Sequence, residues 1–383
     1  MNLDRRDFLR TSAAAAFVGL AAGMDRRLAA QTVGRKFAQV KVARERIIRE
    51  VVGLRPYRNE GYVVRGEKAG SKLLIHHYGH GGAGITLSWG TAVEAVELAR
   101  GYQAPVVRGR AAQRKYAVIG CGVIGLTTAL MLQRRFQDGP GTVTIYSKDL
   151  PPDTTSNIAG GFWSPTSVFD DDAASAQFVD SYRKSSRVAN RAFQLLVGEE
   201  YGVRWIDTFN LYRAESSVGS ELPGGNDLYP NMAIHRDPAT YFGFPAVRQY
   251  STMLIEPQVY LAKLLRDFYS AGGKLVVKEL RSREEVMRLP EPVIFNCTGL
   301  GARALFNDQK LIPVRGQLEI LLPQPEIDYC YLGPGYMFPR SDGIVLGGTF
   351  ERDNWSLEPS RETADGFLNT HAAIMRGLRP PSM

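Results

Sequence analysis

The tightest constraint on this chain is the run Lys115-Tyr-Ala-Val-Ile-Gly120-Cys-Gly122-Val-Ile-Gly125-Leu-Thr-Thr-Ala-Leu130. An apolar strand runs into three spaced glycines and then into a helical pattern. Gly120 makes the turn, Gly122 leaves room for a pyrophosphate to approach the backbone, and Gly125 lets the helix pack closely on the strand. Val123 and Ile124 open the helix, whose N-terminus would face the phosphates. The helix ends near Asp138-Gly-Pro-Gly141, and a second strand follows at Thr142–Tyr146. The glycine spacing alone carries little. With strand and helix both placed where the mechanism requires them, it reads as a dinucleotide site in an α/β layer.

A second glycine-rich stretch lies upstream. Ile75-His-His-Tyr-Gly-His-Gly-Gly-Ala-Gly-Ile-Thr-Leu-Ser-Trp89 closes an apolar run begun at Leu73 and opens a helical pattern over Thr86–Arg100. Gly79, Gly81, Gly82 and Gly84 let backbone N–H groups come close to something bulky, and a glycine turn feeding a helix N-terminus suits an anion. A plain strand-to-helix turn would account for it if nothing else in the chain needed a phosphate.

With 383 residues and 44% hydrophobic content, the chain has core enough for one or two globular domains. The net charge of +8 comes from dispersed basic residues, which does not point to nucleic acid. Residues 1–30 read as a targeting segment. Asp4-Arg5-Arg6-Asp7-Phe8-Leu9-Arg10 looks like a twin-arginine motif, and the alanine-rich stretch Thr11–Met24 is too short to span a bilayer. Cleavage near Leu28-Ala29-Ala30 would release a protein exported already folded by the bacterial twin-arginine machinery, periplasmic or extracellular and without a stable membrane anchor. Cys121, Cys297 and Cys330 make no disulfide framework; the first two read as buried thiols and Cys330 as exposed. His76, His77 and His80 lack a carboxylate or cysteine at ligand spacing, so no metal site is expected.

Between Arg35 and Ala104, Ile47–Val52 reads as a strand and Gly53-Leu-Arg-Pro-Tyr-Arg58 as a break. Gly61–Arg65 and Lys72–Ile75 read as a strand pair joined by the polar turn Gly66–Ser71. Arg55 precedes a proline, so its backbone is held extended, and an arginine held this way suits a bidentate grip on a carboxylate, although by itself an ordinary surface arginine is the better reading. Gly101–Lys115, with Arg108, Arg110 and Arg114, reads as a polar linker. Further on, Ser251–Ala271 is amphipathic, and Lys274–Lys278 and Pro292–Asn296 read as strands. Residues 166–250 and 310–355 read as a second, largely antiparallel unit rich in aromatics and turn signals.

The fingerprint, Ile145-Tyr-Ser-Lys-Asp-Leu-Pro-Pro-Asp-Thr-Thr-Ser156 and Ala159-Gly-Gly-Phe-Trp-Ser-Pro165 together resemble the opening of the D-amino-acid oxidase family. The resemblance continues through Val293–Gly299, Arg315-Gly-Gln317, Gly335–Pro339, Leu346–Phe350 and Asn354-Trp355. The family's C-terminal portion, a GxRPxR segment followed by YGHGG and a helix, stands first here, at Gly53–Arg58 and Tyr78–Gly82. The chain thus resembles a circularly permuted member whose usual ends are joined through Gly101–Lys115. The implied fold is a Rossmann-like α/β domain that binds FAD plus an α+β substrate domain with a largely antiparallel sheet. Its boundaries would be 31–60 (substrate domain), 61–100 (FAD domain), 101–114 (linker), 115–167 (FAD domain core), 168–257 (substrate domain), 258–309 (FAD domain) and 310–383 (substrate domain).

The resemblance also implies residue roles. Gly120, Gly122, Val123 and Ile124 would cradle the pyrophosphate, with Thr154, Thr155 and Ser156 on the phosphates. Gly160, Gly161 and Phe162 would lie against the isoalloxazine, Leu280 near the adenine, and Gly81, Gly84, Ile85 and Thr86 at the flavin's pyrimidine end. His77 and His80 would be loop-packing or flavin-side residues. Lys148 stands where an acid would bind the ribose, with Asp149 next to it. Arg55 would clamp the substrate α-carboxylate with the Tyr336 hydroxyl as second donor, and the Gly82 carbonyl would accept from the amine. Arg379, in a second GLRP string, lacks the rest of the motif and reads as a decoy.

The implied reaction is oxidative deamination of a D-amino acid by hydride transfer from Cα to flavin N5, which needs orientation more than a protein base. Dioxygen would reoxidise the flavin to give hydrogen peroxide, and the imino acid would hydrolyse to a 2-oxo acid and ammonia. A lid tyrosine expected four residues before Tyr336 is Leu332, with Tyr331 beside it, and the short Gln317–Tyr336 stretch suggests an open pocket. A D-aspartate-oxidase-like enzyme or another amine or amino-acid flavin dehydrogenase is the alternative, for which Arg340 is the lid candidate facing an acidic substrate. A non-catalytic exported flavoprotein is the third reading.

Overall fold

The computed structural model describes residues 37–101, 106–107, 110–111, 114–135, 142–236 and 242–378. The twin-arginine segment, Arg379 and part of the 101–115 linker lie outside the described residues. In chain order the strands are β1 (Ile47–Tyr57), β2 (Val63–Ala69), β3 (Lys72–Tyr78), β4 (Val106–Val107), β5 (Arg110–Ala111), β6 (Lys115–Ile119), β7 (Thr142–Ser147), β8 (Val203–Tyr212), β9 (Ala233–His235), β10 (Ala246–Ile255), β11 (Lys274–Val277), β12 (Val293–Asn296), β13 (Ile312–Leu321), β14 (Tyr329–Leu332), β15 (Tyr336–Arg340), β16 (Gly343–Gly347) and β17 (Glu351–Arg352). The α-helices are α1 (Gly84–Arg100), α2 (Val123–Arg135), α3 (Ala176–Gln194), α4 (Pro257–Ser270), α5 (Arg283–Met287), α6 (Gly301–Leu305) and α7 (Arg361–Gly377).

The strands form two large sheets. The first has six strands in the order β11-β7-β6-β12-β3-β2, parallel except for β2, which is antiparallel to β3. Its inner strands carry the continuous apolar runs expected of a sheet covered on both faces, and every residue of β12 is buried. Helices α1, α2 and α4 pack with it, and the Trp89 indole N–H donates to the Tyr260 hydroxyl at 2.7 Å, tying α1 to α4. The second sheet orders its strands β1-β13-β16-β15-β14-β8-β10-β9, with β17 also on β13. It is antiparallel apart from the parallel β8–β14 pair.

Several sequence expectations shift. The break over Gly53–Arg58 is absent: β1 continues through it to Tyr57, paired with β13 from Leu321 to Ile312. Pro56 is tolerated because β1 is an edge strand, where a missing N–H need not break a ladder. The β2–β3 hairpin turns at Gly70-Ser71, tighter than Gly66–Ser71. Ser251–Ile255 belongs to β10, and the helix after it starts at Pro257. Cys330 is fully buried because β14 is covered on both sides by β8 and β15.

Helix α3 lies inside the region read as antiparallel, although Tyr182, Ala189 and Phe193 recur there at helical spacing. Ser175 caps it by accepting from the Phe178 N–H at 3.2 Å. Its buried face carries Ser185, Ser186 and Asn190 beside Tyr182, Ala189 and Phe193, so polar residues interrupt the apolar stripe. Ser181 and Ser185 donate to Glu94 of α1 at 2.7 and 2.5 Å. The two helices approach so closely at Gly90 that a Cβ there would strike the Ser185 backbone.

Gly90→Ala is therefore expected to destabilise the protein by about 1–3 kcal/mol through overpacking. Gly366→Ala, within α7 where an added Cβ meets nothing within 4 Å, is expected to stabilise it by about 0.5–1 kcal/mol. Urea midpoints of the two variants check this; a Gly90→Ala protein as stable as its parent would contradict the α1–α3 packing.

Candidate functional site

Strands β3 and β6 flank β12 in the same parallel sheet, so the chain leaves both at one edge. After β3 the chain turns through Gly79–Ala83 and starts α1 at Gly84; after β6 it turns through Gly120–Gly122 and starts α2 at Val123. Both turns line one cavity of about 1080 Å³. Small-molecule sites run roughly 300–1,000 Å³, so this one suits an extended ligand. No side chain caps the N-terminus of α1, and Gly84, Ile85 and Thr86 line the cavity there, a place where unsatisfied N–H groups favour negative charge.

The fingerprint turn has the geometry its glycines require. Gly120 has φ +106°, and a Cβ on it would sit 2.5 Å from the Cys297 carbonyl oxygen. A Cβ on Gly125 would strike the Gly120 carbonyl, so this glycine brings α2 onto the turn. The Val123 N–H donates to Ser156 Oγ at 3.0 Å and the Cys121 N–H to Ser147 Oγ at 3.1 Å, which ties the turn to the end of β7 and to the chain after it. Thr154 donates to Asn157 at 2.8 Å and, with Thr155, also faces the cavity. Gly160, Gly161 and Phe162 line its middle. Lys148, Asp149, Lys278, Leu280 and Arg281 line its far end, where Lys148 and Asp149 are exposed and pair with each other at 3.6 Å.

The large sheet forms the opposite wall. Arg55 projects from β1, donates from Nη1 to the Thr349 carbonyl at 3.0 Å, and is the one charged residue that the described strands of this sheet bring to the cavity. Its guanidinium crosses β13 at Gly316, where any Cβ would collide with it. The Tyr336 ring occupies space left by Gly347 and Gly348 on the neighbouring strand, and added Cβ atoms there would clash with it. Burial raises the Tyr336 hydroxyl above the ordinary tyrosine value, and the Arg55 guanidinium beside it pulls it back down. Tyr336 stacks on Phe338 at 4.6 Å and Phe338 on Phe162 at 4.9 Å, so three rings link the two walls. Gly82 lines the cavity too, its N–H held by the Ser167 carbonyl at 2.9 Å.

All twenty residues predicted for cofactor and substrate thus line a single cavity. Gly316, Gly347 and Gly348 were quoted within motifs but given no role; glycines inside strands are the signal, since they mark a close approach. Leu332 lines the cavity, whereas Tyr331 faces away from it, fully buried, with its hydroxyl 2.5 Å from His371 Nδ1. A three-residue connection, Gly333–Gly335, joins β14 to β15. Burial drives His80 down to about 3, and burial together with the adjacent His80 ring lowers His77 well below the ordinary histidine value. Burial pushes the Cys121 and Cys297 thiols up to about 12. None of these four groups is poised to exchange a proton near neutrality. Among the described residues no group of three His, Cys, Asp or Glu could hold a metal ion.

A family model described as FAD dependent oxidoreductase matches residues 115–382. The D-amino-acid oxidase of Rubrobacter xylanophilus is 30% identical, covering 71% of this chain and 80% of its own length. The D-amino acid oxidase of Dugesia ryukyuensis is 28% identical over 68% and 78%, and the D-aspartate oxidase of Homo sapiens 27% identical over 69% and 76%. Among solved structures, iminodiacetate oxidase from a Chelativorans species superposes with a TM-score of 0.51 at 16% identity, covering 68% of this chain and 79% of that one. Glycine oxidase from Bacillus cereus gives 0.50 at 13% identity over 68% and 78%. With a family model spanning most of the chain and both glycine turns lining one large cavity, this protein belongs to the D-amino-acid oxidase family of FAD-dependent oxidoreductases.

Proposed function

We propose that the protein oxidatively deaminates D-amino acids to 2-oxo acids, with ammonia and hydrogen peroxide as the other products and dioxygen as the electron acceptor. The observation that carries this reading is the meeting of Arg55 and Tyr336 on the cavity wall opposite the two glycine turns. The bound FAD supplies the hydride acceptor. Among the described residues Arg55 is paired with no carboxylate, and it offers its guanidinium to the substrate carboxylate, with the Tyr336 hydroxyl as second donor. The Gly82 carbonyl accepts from the amine. Gly120, Gly122, Val123 and Ile124 meet the pyrophosphate with Thr154, Thr155 and Ser156, while Gly81, Gly84, Ile85 and Thr86 meet the pyrimidine end. The uncapped start of α1 favours negative charge on the ring system there.

A neutral substrate side chain is favoured over an acidic one. Arg340 is buried and committed: Nε and Nη2 donate to Asp342, each at 2.8 Å, and Nη1 to the Ala159 carbonyl at 2.9 Å. The substrate end is lined instead by Leu318, Leu332, Phe338 and Phe350.

The chain order supports a circular permutation. The family model starts at residue 115, yet β1 and β3 fill places in the same two sheets, β3 beside β12 and β1 beside β13. Residues 1–30 support export by the twin-arginine route.

Anaerobic titration of the FAD-loaded protein with D- and L-amino acids tests the activity: neutral D-amino acids should bleach the flavin and their L-enantiomers should not. Arg55→Ala should weaken substrate binding about 10- to 100-fold while FAD stays bound, and Gly316→Ala should do the same by displacing the guanidinium. A yellow protein bleached by no D-amino acid would establish the non-catalytic reading instead. A chain with residues 37–101 moved behind residue 378 should fold and bind FAD; failure of several linker lengths would count against permutation. Arg5→Lys with Arg6→Lys should keep the enzyme in the cytoplasmic fraction of a bacterial host, and unchanged export would refute the twin-arginine route.

A further inference from the structure

Strand β15 places Tyr336, Phe338 and Arg340 at alternate positions, so the three share one face. All three meet the segment that lines the middle of the cavity. A Cβ on Gly160 would lie 3.9 Å from the Tyr336 ring and 3.0 Å from the Phe338 ring, and Arg340 Nη1 donates to the Ala159 carbonyl at 2.9 Å. The ring contacts are apolar and have no preferred direction. The hydrogen bond fixes both a direction and a distance.

The Arg340 guanidinium is itself immobilised. Nε and Nη2 donate to the two carboxylate oxygens of Asp342 at 2.8 Å each, and the side chain is only 2% exposed. Asp342 also accepts from Arg49 of β1 at 2.5 Å. With the fork clamped in its plane, Nη1 has one place to aim. The next residue ties down the other end of the same segment. The Ser341 N–H donates to Glu256 at 3.0 Å and its hydroxyl to the second carboxylate oxygen, while the neighbouring Ile255 N–H donates to the Gly161 carbonyl at 2.7 Å. The β15–β16 turn therefore holds Ala159 directly and Gly161 through Glu256 and Ile255. Stability alone is a poor reason to bury such a cation, because apolar side chains in place of a buried ion pair are often no less stable. What the charge adds is a fixed carbonyl one residue before Gly160.

We propose that Arg340 is a positioning residue for the cofactor: clamped by Asp342, it fixes the Ala159 carbonyl and so sets how closely Gly160–Phe162 meet the isoalloxazine of FAD. It rests on that segment facing the flavin, and adds what holds the segment in place.

The test is calorimetric titration of the apoprotein with FAD and with ADP, which spans the adenosine and phosphate end and has no flavin. Arg340→Ala should weaken FAD about 10- to 100-fold and leave ADP unchanged. The visible flavin bands of the loaded variant should shift, since they report the surroundings of the ring. Arg340 also lines a second, smaller cavity of about 350 Å³, which gives added guanidinium ion a way to the vacated place. Guanidinium at low millimolar concentration should restore FAD binding to Arg340→Ala, and urea, its neutral counterpart, should not. Parental FAD affinity in Arg340→Ala would overturn the proposal. So would equal weakening of FAD and ADP, or equal rescue by guanidinium and urea, either of which would mark a purely structural residue. Equal affinity of the unaltered apoprotein for FAD and ADP would instead overturn the placement of the flavin on which the proposal stands. Should Arg340→Ala fail to fold, Arg340→Lys keeps the charge beside Asp342 but lacks the fork. It should show the same selective loss of FAD at smaller size, and full FAD affinity in that variant would overturn the proposal.

Discussion

Everything in the site depends on one strand pairing. β12 hydrogen-bonds in parallel to β3 on one side and β6 on the other, with Val293 opposite Leu73 and Tyr116. That register brings the ends of β3 and β6 to the same height, so two glycine turns and two helix starts open onto one space. A shift by one residue would invert every side chain of the slipped strand and bury the wrong face. It would also move His77 off Thr128, to which it is hydrogen-bonded. The parallel ladder is buried on both faces and its apolar runs are continuous, so the arrangement is held by packing as well as by hydrogen bonds.

The substrate wall follows a different rule. Here the side chains that matter lie across their own sheet, and the space they occupy is made by neighbouring strands. Arg55 starts on β1 but is seated by Gly316 of β13 and the Thr349 carbonyl; Tyr336 starts on β15 but is seated by Gly347 and Gly348. The Phe162–Phe338–Tyr336 stack then couples this wall to the nucleotide side. A substitution at a glycine with no polar atoms of its own can therefore act on the substrate while leaving the cofactor bound.

What could be read in the sequence was what local chemistry decides. The fingerprint's turn, the strand on either side of it and the second glycine turn all announce themselves through residues a few positions apart. Arg55 was identified from Pro56 and from the family motif, yet its strand was missed. Whether a proline ends a strand depends on whether that strand lies at an edge, which is a property of the whole sheet. Helix α3 lies in a stretch read as antiparallel although Tyr182, Ala189 and Phe193 recur at helical spacing; what that stripe could not show is that Ser185 faces inward to bond Glu94. Cys330 looked exposed among prolines and tyrosines, and only the pairing of β14 between β8 and β15 buries it. The hydrogen bond between His77 and Thr128 joins residues fifty-one positions apart, and no local pattern could have shown it.

The pairing of β3 with β12 also sets a timetable for the growing chain. Residues 72–78 are made well before their partner, residues 293–296, and the strand that seats Arg55 follows later still, at 312–321. Until then the first strands have edges and no sheet to join, and long sequence separations of this kind slow folding. Neither the nucleotide grip nor the substrate grip can exist on a half-made protein. The nucleotide grip waits for β12 and the substrate grip for β13 and Gly348, so a chain ending before residue 293 would carry the early glycine turn and the fingerprint without a site to share.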